Sequence, residues 1–234
     1  MITQPVQIDY FSDLLCVWAY VAQVKIDELR RDFGDDVRIV QRFVPVFGSV
    51  ANKIGAGWAD RGGLEGYARH VHEVASRFDH VGLHTEVWTR SVPAGSYAPH
   101  AFVRAVTLVA EDGAIDGAPQ PTFEGRTFAE TVAWQLRLAM FRDAKNIARL
   151  DVQLKVAAEL GLPVDAIRER VEGGTALSAL AADHELAARH QVVGSPTYLI
   201  NEGRQRLYGN VGYKVIEANV RELLRDNSDK ASWC

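Results

Sequence analysis

Cysteine is scarce in this sequence, and its scarcity excludes several kinds of site. The 234 residues contain two cysteines, Cys16 and Cys234, which are too few for a disulfide framework or a cysteine-ligated metal cluster. The histidines show no ligand spacing either. His70 and His72 lie two residues apart on a predicted helix and therefore point from diverging faces. We expect no metal site.

An excess of positive charge and long apolar runs are also missing. A net charge of −4 at pH 7 gives no basic surface for a phosphate backbone, so no nucleic-acid partner is expected. No window reaches the roughly 18 apolar residues of a membrane span, so no membrane partner is expected. The first residues lack a charged leader followed by an apolar run and a small-residue cleavage site. The expected location is the cytoplasm, where thiols stay mostly reduced.

Cys16 is the residue that most needs a chemical explanation. It follows a strand-like segment at residues 6–11 and precedes a helical pattern at 17–33. The first N–H groups of a helix have no partner within the helix, and together with the macrodipole they favour a thiolate. The position suits a Cys-x-x-Cys redox turn, but the fourth residue is Ala19. A partner thiol is therefore missing where one would be expected.

The other elements predict a small sheet interrupted by helices. Residues 6–11 and 37–44 have strand composition on either side of the helix at 17–33, which predicts a βαβ unit with parallel strands. Helical patterns follow at 64–78, 96–111 with Ser96 as its cap, 127–142, 147–160, 164–171 and 175–190. Strand patterns return at 196–200 and 205–208, before a last helix at 213–224.

The glycine-rich segment at residues 47–63 has no clear period and predicts a surface loop. It would leave the end of a strand, which in α/β sheets is close to where ligands bind. Long loops of this kind are often functional. Lys53 and Trp58 are candidate rim residues there, although such residues more often pack the loop against the protein.

Two short motifs stand out in the sequence. One is the cysteine that opens the first helix, and the other is Gly194-Ser195-Pro196-Thr197 at the start of the third strand. With the order of elements, they resemble the DsbA-like branch of the thioredoxin superfamily. That branch includes disulfide oxidoreductases, kappa-class glutathione transferases and 2-hydroxychromene-2-carboxylate isomerases. The resemblance implies an α/β thioredoxin-like fold with a large helical insertion. Its parts would be a thioredoxin-like domain at 1–63 and 192–226, an inserted helical domain at 64–191 and a mobile tail at 227–234.

The resemblance also implies the site residues. Cys16 lies where the oxidoreductases have their nucleophilic cysteine and the glutathione enzymes have a serine. Pro196 matches the proline that follows a cis peptide bond in this superfamily, where the backbone of Ser195 can pair with an extended ligand such as glutathione.

Trp18 and Ser12 are candidates for the substrate or glutathione pocket. The alternative for Trp18 is packing of the helix onto the sheet. Ser12 and Asp13 precede the helix and could cap it or touch the thiol, of which capping is the commoner role.

Ala19 decides which reactions remain open. Without a second cysteine to resolve a mixed disulfide, we expect glutathione or another small thiol as cofactor, adding to a small conjugated electrophile to give isomerisation or conjugation. The alternative is a monothiol oxidoreductase that attacks a disulfide substrate through Cys16, with glutathione as resolver. Cys234 could resolve only if the tail folded back. The third alternative is a binding module that has lost its chemistry, which an unreactive Cys16 that titrates at or above the roughly 8.5 of a free thiol would favour. A homodimer is expected because relatives often pair.

Overall fold

A four-stranded mixed sheet forms the centre of the computed structural model, which describes residues 5–225. Its spatial order is β2-β1-β3-β4. The first strand runs parallel to the second and antiparallel to the third, and the third and fourth form an antiparallel hairpin. The strands are β1 (Val6–Ser12), β2 (Val37–Phe43), β3 (Thr197–Ile200) and β4 (Gln205–Tyr208). The predicted βαβ unit and hairpin are confirmed, whereas the predicted tail and Cys234 lie outside the described residues.

Helices connect and cover the strands. The crossover α1 (Val17–Phe33) joins β1 to β2 and ends at Gly34, whose φ of 49° is in the left-handed region that glycine tolerates. No helix within residues 5–225 is long and apolar enough to cross a membrane. The remaining helices are α2 (Gly63–Ala75), α3 (Tyr97–Glu111), α4 (Phe128–Phe141), α5 (Leu150–Glu159), α6 (Val164–Glu172), α7 (Thr175–Arg189) and α8 (Tyr213–Arg225).

The segment at residues 47–63 lies at the surface, as predicted, with most of residues 51–62 exposed, but it is not an irregular loop. It contains a π-helical turn at Ala51–Ala56 and a 3-10 turn at Ala59–Arg61. Phe47, Val50 and Ile54 are buried in the main core. These three residues are three and four positions apart, which is helical spacing. The absence of helical structure was wrongly predicted, because the glycines in the segment concealed this short apolar face.

The core continues from the sheet into the helices between β2 and β3. On one face of β1, Ile8 and Tyr10 pack with residues of α1 and α8, and on the other face Phe11 packs with α7. The largest apolar cluster begins at Leu14 in the turn after β1 and extends through α2 to α7. These helices therefore cover the turn that carries Cys16. The division of the chain into two domains stays a prediction.

A buried carboxylate fixes these helices to the end of β2. Asp183 on α7 is fully buried and accepts hydrogen bonds from Arg104 Nε on α3 at 2.7 Å and from the Phe43 N–H at 3.2 Å. Arg42 Nη1 donates to it at 3.3 Å. Because the carboxylate joins α3, α7 and β2, its loss would leave two guanidinium groups without their shared anion.

We expect Asp183→Ala to lower the free energy of unfolding by about 3–5 kcal/mol, because it breaks a buried ion pair by removing one partner. Equilibrium unfolding in urea measures this change. Asp151→Ala is the matched control, since it removes an exposed ion pair with Arg149 and should leave the urea midpoint unchanged. Equal midpoints for the two variants would contradict the role given to Asp183.

Candidate functional site

Cys16 lies at the start of α1, next to the residue that precedes Pro196. Its backbone is extended, with φ −86° and ψ 116°, and its side chain makes no capping hydrogen bond. The residue is 5% exposed. Its thiol donates to the carbonyl oxygen of Ser195, with Sγ at 3.3 Å, and the Ser195–Pro196 peptide bond is cis. The structure thus brings together Cys16, Ser195 and Pro196, three of the residues selected from the sequence.

Ser195 joins the start of β3 to the turn before Cys16. Its hydroxyl oxygen accepts the Asp13 N–H at 2.8 Å, and its carbonyl accepts the Cys16 thiol. Its own N–H has no acceptor within residues 5–225. A backbone donor without a protein partner therefore lies on the same residue that contacts the thiol.

Burial raises the pKa of the Cys16 thiol above its ordinary value. The Ser195 hydroxyl and the N–H groups of Ala19 and Trp18 act in the opposite direction, while the Asp13 carboxylate adds to the rise. The expectation of a thiolate at the helix start is therefore wrong for the ligand-free protein. Desolvation outweighs the helix N-terminus, which sequence spacing alone could not show.

Asp13 organises the turn, whereas its place before the helix predicts a cap of α1 or a contact with the thiol. It is fully buried, and its carboxylate accepts the N–H groups of Leu15 and Phe47 and the hydroxyl of Ser96, each at 2.8 Å. Ser96 was expected to cap α3, but it makes no capping hydrogen bond. A charged residue in front of the apolar run from Leu14 is the signal that points to such a buried role.

His100 on α3 supports the same turn. Its Nε2 accepts the Leu14 N–H at 3.1 Å and lies 3.5 Å from Asp13 Oδ1. The ring stacks on Phe43 with centroids 4.6 Å apart. Contacts from α3, β2 and the following segment thus fix the backbone that leads into Cys16.

Ser12 and Trp18, the other two residues selected from the sequence, do not contact the Cys16 thiol as Ser195 does. Ser12 is fully buried, and its hydroxyl accepts Gln41 Nε2 at 2.8 Å and Arg137 Nη2 at 2.7 Å. It neither caps α1 nor presents a free group to a ligand. Trp18 is half-buried and packs edge-to-face on Phe78 at 6.4 Å between centroids. Within the described part of the chain, no three histidine, cysteine or acidic residues are grouped as metal ligands.

We expect Asp13→Ala to cost about 3–5 kcal/mol in the free energy of unfolding, because it leaves two buried N–H groups and a hydroxyl without an acceptor. Ser96→Ala removes one donor and should cost about 1 kcal/mol. Urea unfolding of both variants measures the difference. A cost for Asp13→Ala no larger than that for Ser96→Ala would show that the carboxylate does not hold the turn.

The raised pKa of Cys16 predicts a pH dependence. Since the folded state holds the thiol proton more tightly than the unfolded state, folding gains this stability below the unfolded pKa of about 8.5. The gain is lost as the pH rises through the folded pKa. In a Cys234→Ser background, alkylation of Cys16 by iodoacetamide should reach half its maximal rate above about pH 8.5. A midpoint near neutral pH would show that burial is not the largest influence on the pKa of Cys16.

Comparisons with known proteins identify the family to which this chain is similar. The description "DSBA-like thioredoxin domain" matches residues 7–221, whereas a comparison with curated proteins gave no match. A candidate protein disulfide isomerase from Nitrosomonas europaea superposes with a TM-score of 0.72 and 14% identity, over 96% of this chain and 100% of that one. The cytosolic disulfide reductase DsbM from Pseudomonas aeruginosa superposes with a TM-score of 0.65 and 20% identity, over 92% of this chain and 98% of that one. A 2-hydroxychromene-2-carboxylate isomerase superposes with a TM-score of 0.61 and 16% identity, over 97% of this chain and 100% of that one.

These three structures share the fold, at identities too low to assign a reaction. The family match spans nearly the whole chain and includes Cys16, Ser195 and Pro196. The predicted thioredoxin-like fold is thereby confirmed, and the chain belongs to the family of DsbA-like thioredoxin domains.

Proposed function

We propose that this protein is a thiol-dependent enzyme that binds glutathione beside Cys16 and presents the glutathione thiolate to a small conjugated electrophile. The observation that carries the proposal is the pairing of a protonated, buried Cys16 thiol with a Ser195 N–H that has no acceptor among residues 5–225. Ala19, fully buried at the resolving position, leaves the site with one thiol of its own. A small thiol from solution supplies the second.

Ser195 supports binding of an extended γ-glutamyl-cysteinyl backbone. Its N–H would donate to the cysteinyl carbonyl of glutathione, and its carbonyl would accept the cysteinyl N–H in return. That carbonyl now accepts the Cys16 thiol at 3.3 Å. The incoming N–H would therefore displace the thiol and release its S–H to donate to the glutathione sulfur. Pro196 and Trp18 would line the pocket, with the Trp18 indole as an apolar wall for the electrophile.

The raised pKa of Cys16 supports a role as a hydrogen-bond donor. Two thiolates in one buried site would repel each other, so one negative charge is shared between two sulfurs. A protonated Cys16 leaves that charge on glutathione and stabilises it with a hydrogen bond, as a serine hydroxyl would. The glutathione S–H gives its proton to solvent, and the thiolate bonds to an electrophilic carbon while the carbon–carbon π bond breaks and leaves a carbanion. Rotation about the resulting single bond, followed by expulsion of the glutathione thiolate and return of the π bond, gives the isomer. Uptake of a proton by the carbanion gives the conjugate instead.

The second candidate is a monothiol disulfide reductase. The structural similarity to DsbM favours it, because DsbM is a cytosolic disulfide reductase that also has a structure with GSH. Here the Cys16 thiolate attacks a disulfide, one substrate sulfur leaves as a thiolate, and a mixed disulfide forms. A glutathione thiolate then attacks the other substrate sulfur and releases Cys16. A cytoplasmic location fits both reactions, since reduced glutathione is abundant there. A homodimer stays a prediction.

A serine and an alanine at position 16 separate the two reactions. In the proposed function, Cys16→Ser keeps a hydrogen-bond donor and should keep calorimetric binding of reduced glutathione and turnover of a conjugated electrophile within about tenfold. Cys16→Ala should lose most of that turnover. Absence of saturable binding at millimolar glutathione would contradict the proposal. Turnover of a glutathionylated substrate that Cys16→Ser abolishes would establish the reductase instead.

Cys234→Ser is the matched control, because it removes the other thiol and leaves the site unchanged. We expect it to bind glutathione and to turn over the electrophile as the wild type does. Loss of disulfide turnover in Cys234→Ser would assign the resolving step to the second cysteine of this chain.

A further inference from the structure

The outer edge of strand β2 lies at the bottom of a slot in the protein surface, which we call the β2 slot. Its volume is about 850 Å³, towards the upper end of the range for ligand pockets. Thr107 and Ala110 of α3 line one wall. Arg30 of α1 and Phe128 and Ala129 at the start of α4 line the other. None of the residues of the candidate functional site lines this slot, so the proposed function does not use it.

Two hydrogen bonds show which backbone groups of β2 point into the slot. The Val44 N–H, directly after the strand, donates to the Ser12 carbonyl of β1 at 3.3 Å. The Gln41 carbonyl instead accepts Arg104 Nη2 from α3 at 3.0 Å. Because the backbone groups of successive strand residues point to opposite sides, the even-numbered residues of β2 face β1 and the odd-numbered residues face the slot.

Side chains cover only part of this edge. Arg104 occupies the Gln41 carbonyl, and Asp183 occupies the Phe43 N–H at 3.2 Å. The N–H and C=O of Ile39 and the N–H of Gln41 have no partner within residues 5–225. β2 is an outer strand of the sheet, and unpaired groups on such a strand are a template for pairing with another chain.

The walls of the slot limit what can enter it. α3 lies on the sheet face of α7, since Arg104 pairs with Asp183. α4 reaches the opposite face, where Arg137 contacts Ser12. The edge of a second folded copy would carry the same two walls and could not fit between these. A single extended chain, which needs about 4.8 Å beside β2, fits between them.

Charged side chains at the start of β2 indicate the chemistry of that chain. Asp35 precedes the strand, and Glu111 and Asp116 lie at and beyond the end of α3, where all three line the slot. Within the described part of the chain these carboxylates make no ion pair, and neither does Arg38 beside them. Three carboxylates against one guanidinium leave this end of the slot negative, which complements a basic side chain.

We propose that the β2 slot binds an extended segment of a partner protein, apolar with a lysine or arginine at one end, as a fifth strand of the sheet. The backbone of the segment pairs with Ile39 and Gln41. Its apolar side chains contact Ala110 on one wall and Phe128 on the other. Its basic side chain lies beside the unpaired carboxylates at the start of β2. Residues 226–234 of this chain suit the slot less well, because they begin with acidic residues.

The test uses a fluorescein-labelled peptide of the sequence lysine-valine-threonine-valine-threonine-valine, and measures its fluorescence anisotropy with the full-length protein. We expect saturable binding at micromolar protein, and binding about fivefold weaker when glutamate replaces the lysine. N-methylation of the middle valine blocks a backbone donor and should weaken binding about tenfold. Bound peptide should slow amide hydrogen exchange at Ile39 and Gln41, which face the slot, and leave Val40 unchanged, because Val40 faces β1.

Matched variants locate the binding. Ala110→Trp fills the slot and should weaken binding at least about tenfold, whereas Ala158→Trp, on the exposed face of α5, should leave it unchanged. Glu111→Lys should weaken binding about fivefold, and Glu169→Lys, an exposed position of α6, should not. If Ala110→Trp does not fold, the two exposed lysine variants carry the same comparison.

Absence of saturable binding, equal binding of the N-methylated peptide, or an equal loss in Ala158→Trp would overturn the proposal. Binding that appears only in a chain ending at Arg225 would show that residues 226–234 occupy the slot instead. A dimer in sedimentation that Ala110→Trp dissociates would assign the slot to a second copy. Glutathione is absent from these experiments, so their outcome leaves the proposed function untouched.

Discussion

The buried carboxylate of Asp13 is the interaction on which the site depends. It lies between β1 and α1 and accepts hydrogen bonds from the turn, from the segment after β2 and from Ser96 beside α3. These groups come from parts of the chain more than 80 residues apart, with Ser96 83 positions from Asp13. An unpaired buried carboxylate would destabilise the fold. The donors therefore have to assemble around it, and their assembly fixes the backbone at Cys16.

The start of α1 and the burial of the site have opposite effects on the pKa of the Cys16 thiol. The start of α1 favours a thiolate through the N–H groups of Trp18 and Ala19, whereas burial and Asp13 favour the protonated thiol. Burial prevails because the helices inserted between β2 and β3 cover the turn. A disulfide oxidant needs a stable thiolate. A thiol that keeps its proton is better suited to donate a hydrogen bond to another sulfur.

The sequence was sufficient for the order of strands and helices, because alternation and helical spacing depend on neighbours along the chain. It was also sufficient to select Cys16, Ser195 and Pro196, through a helix start and a short motif. It could not give the roles of Asp13 or Arg137. Asp13 suggested a helix cap, and no local pattern in α4 singles out Arg137. Both are defined by contacts with residues far away in the sequence, which no local pattern contains.

Ser12 connects strand β1 to Arg137 on α4. It follows the alternation of β1, which directs Ile8, Tyr10 and Ser12 to one face of the strand. On that face its hydroxyl receives Arg137 from α4. The insertion thus contributes a buried cation to that face of the sheet, while Asp13 contributes a buried anion from the turn. Desolvation has a larger effect on the resting thiol than the Asp13 charge, and it raises the pKa of Cys16 so that the thiol stays neutral.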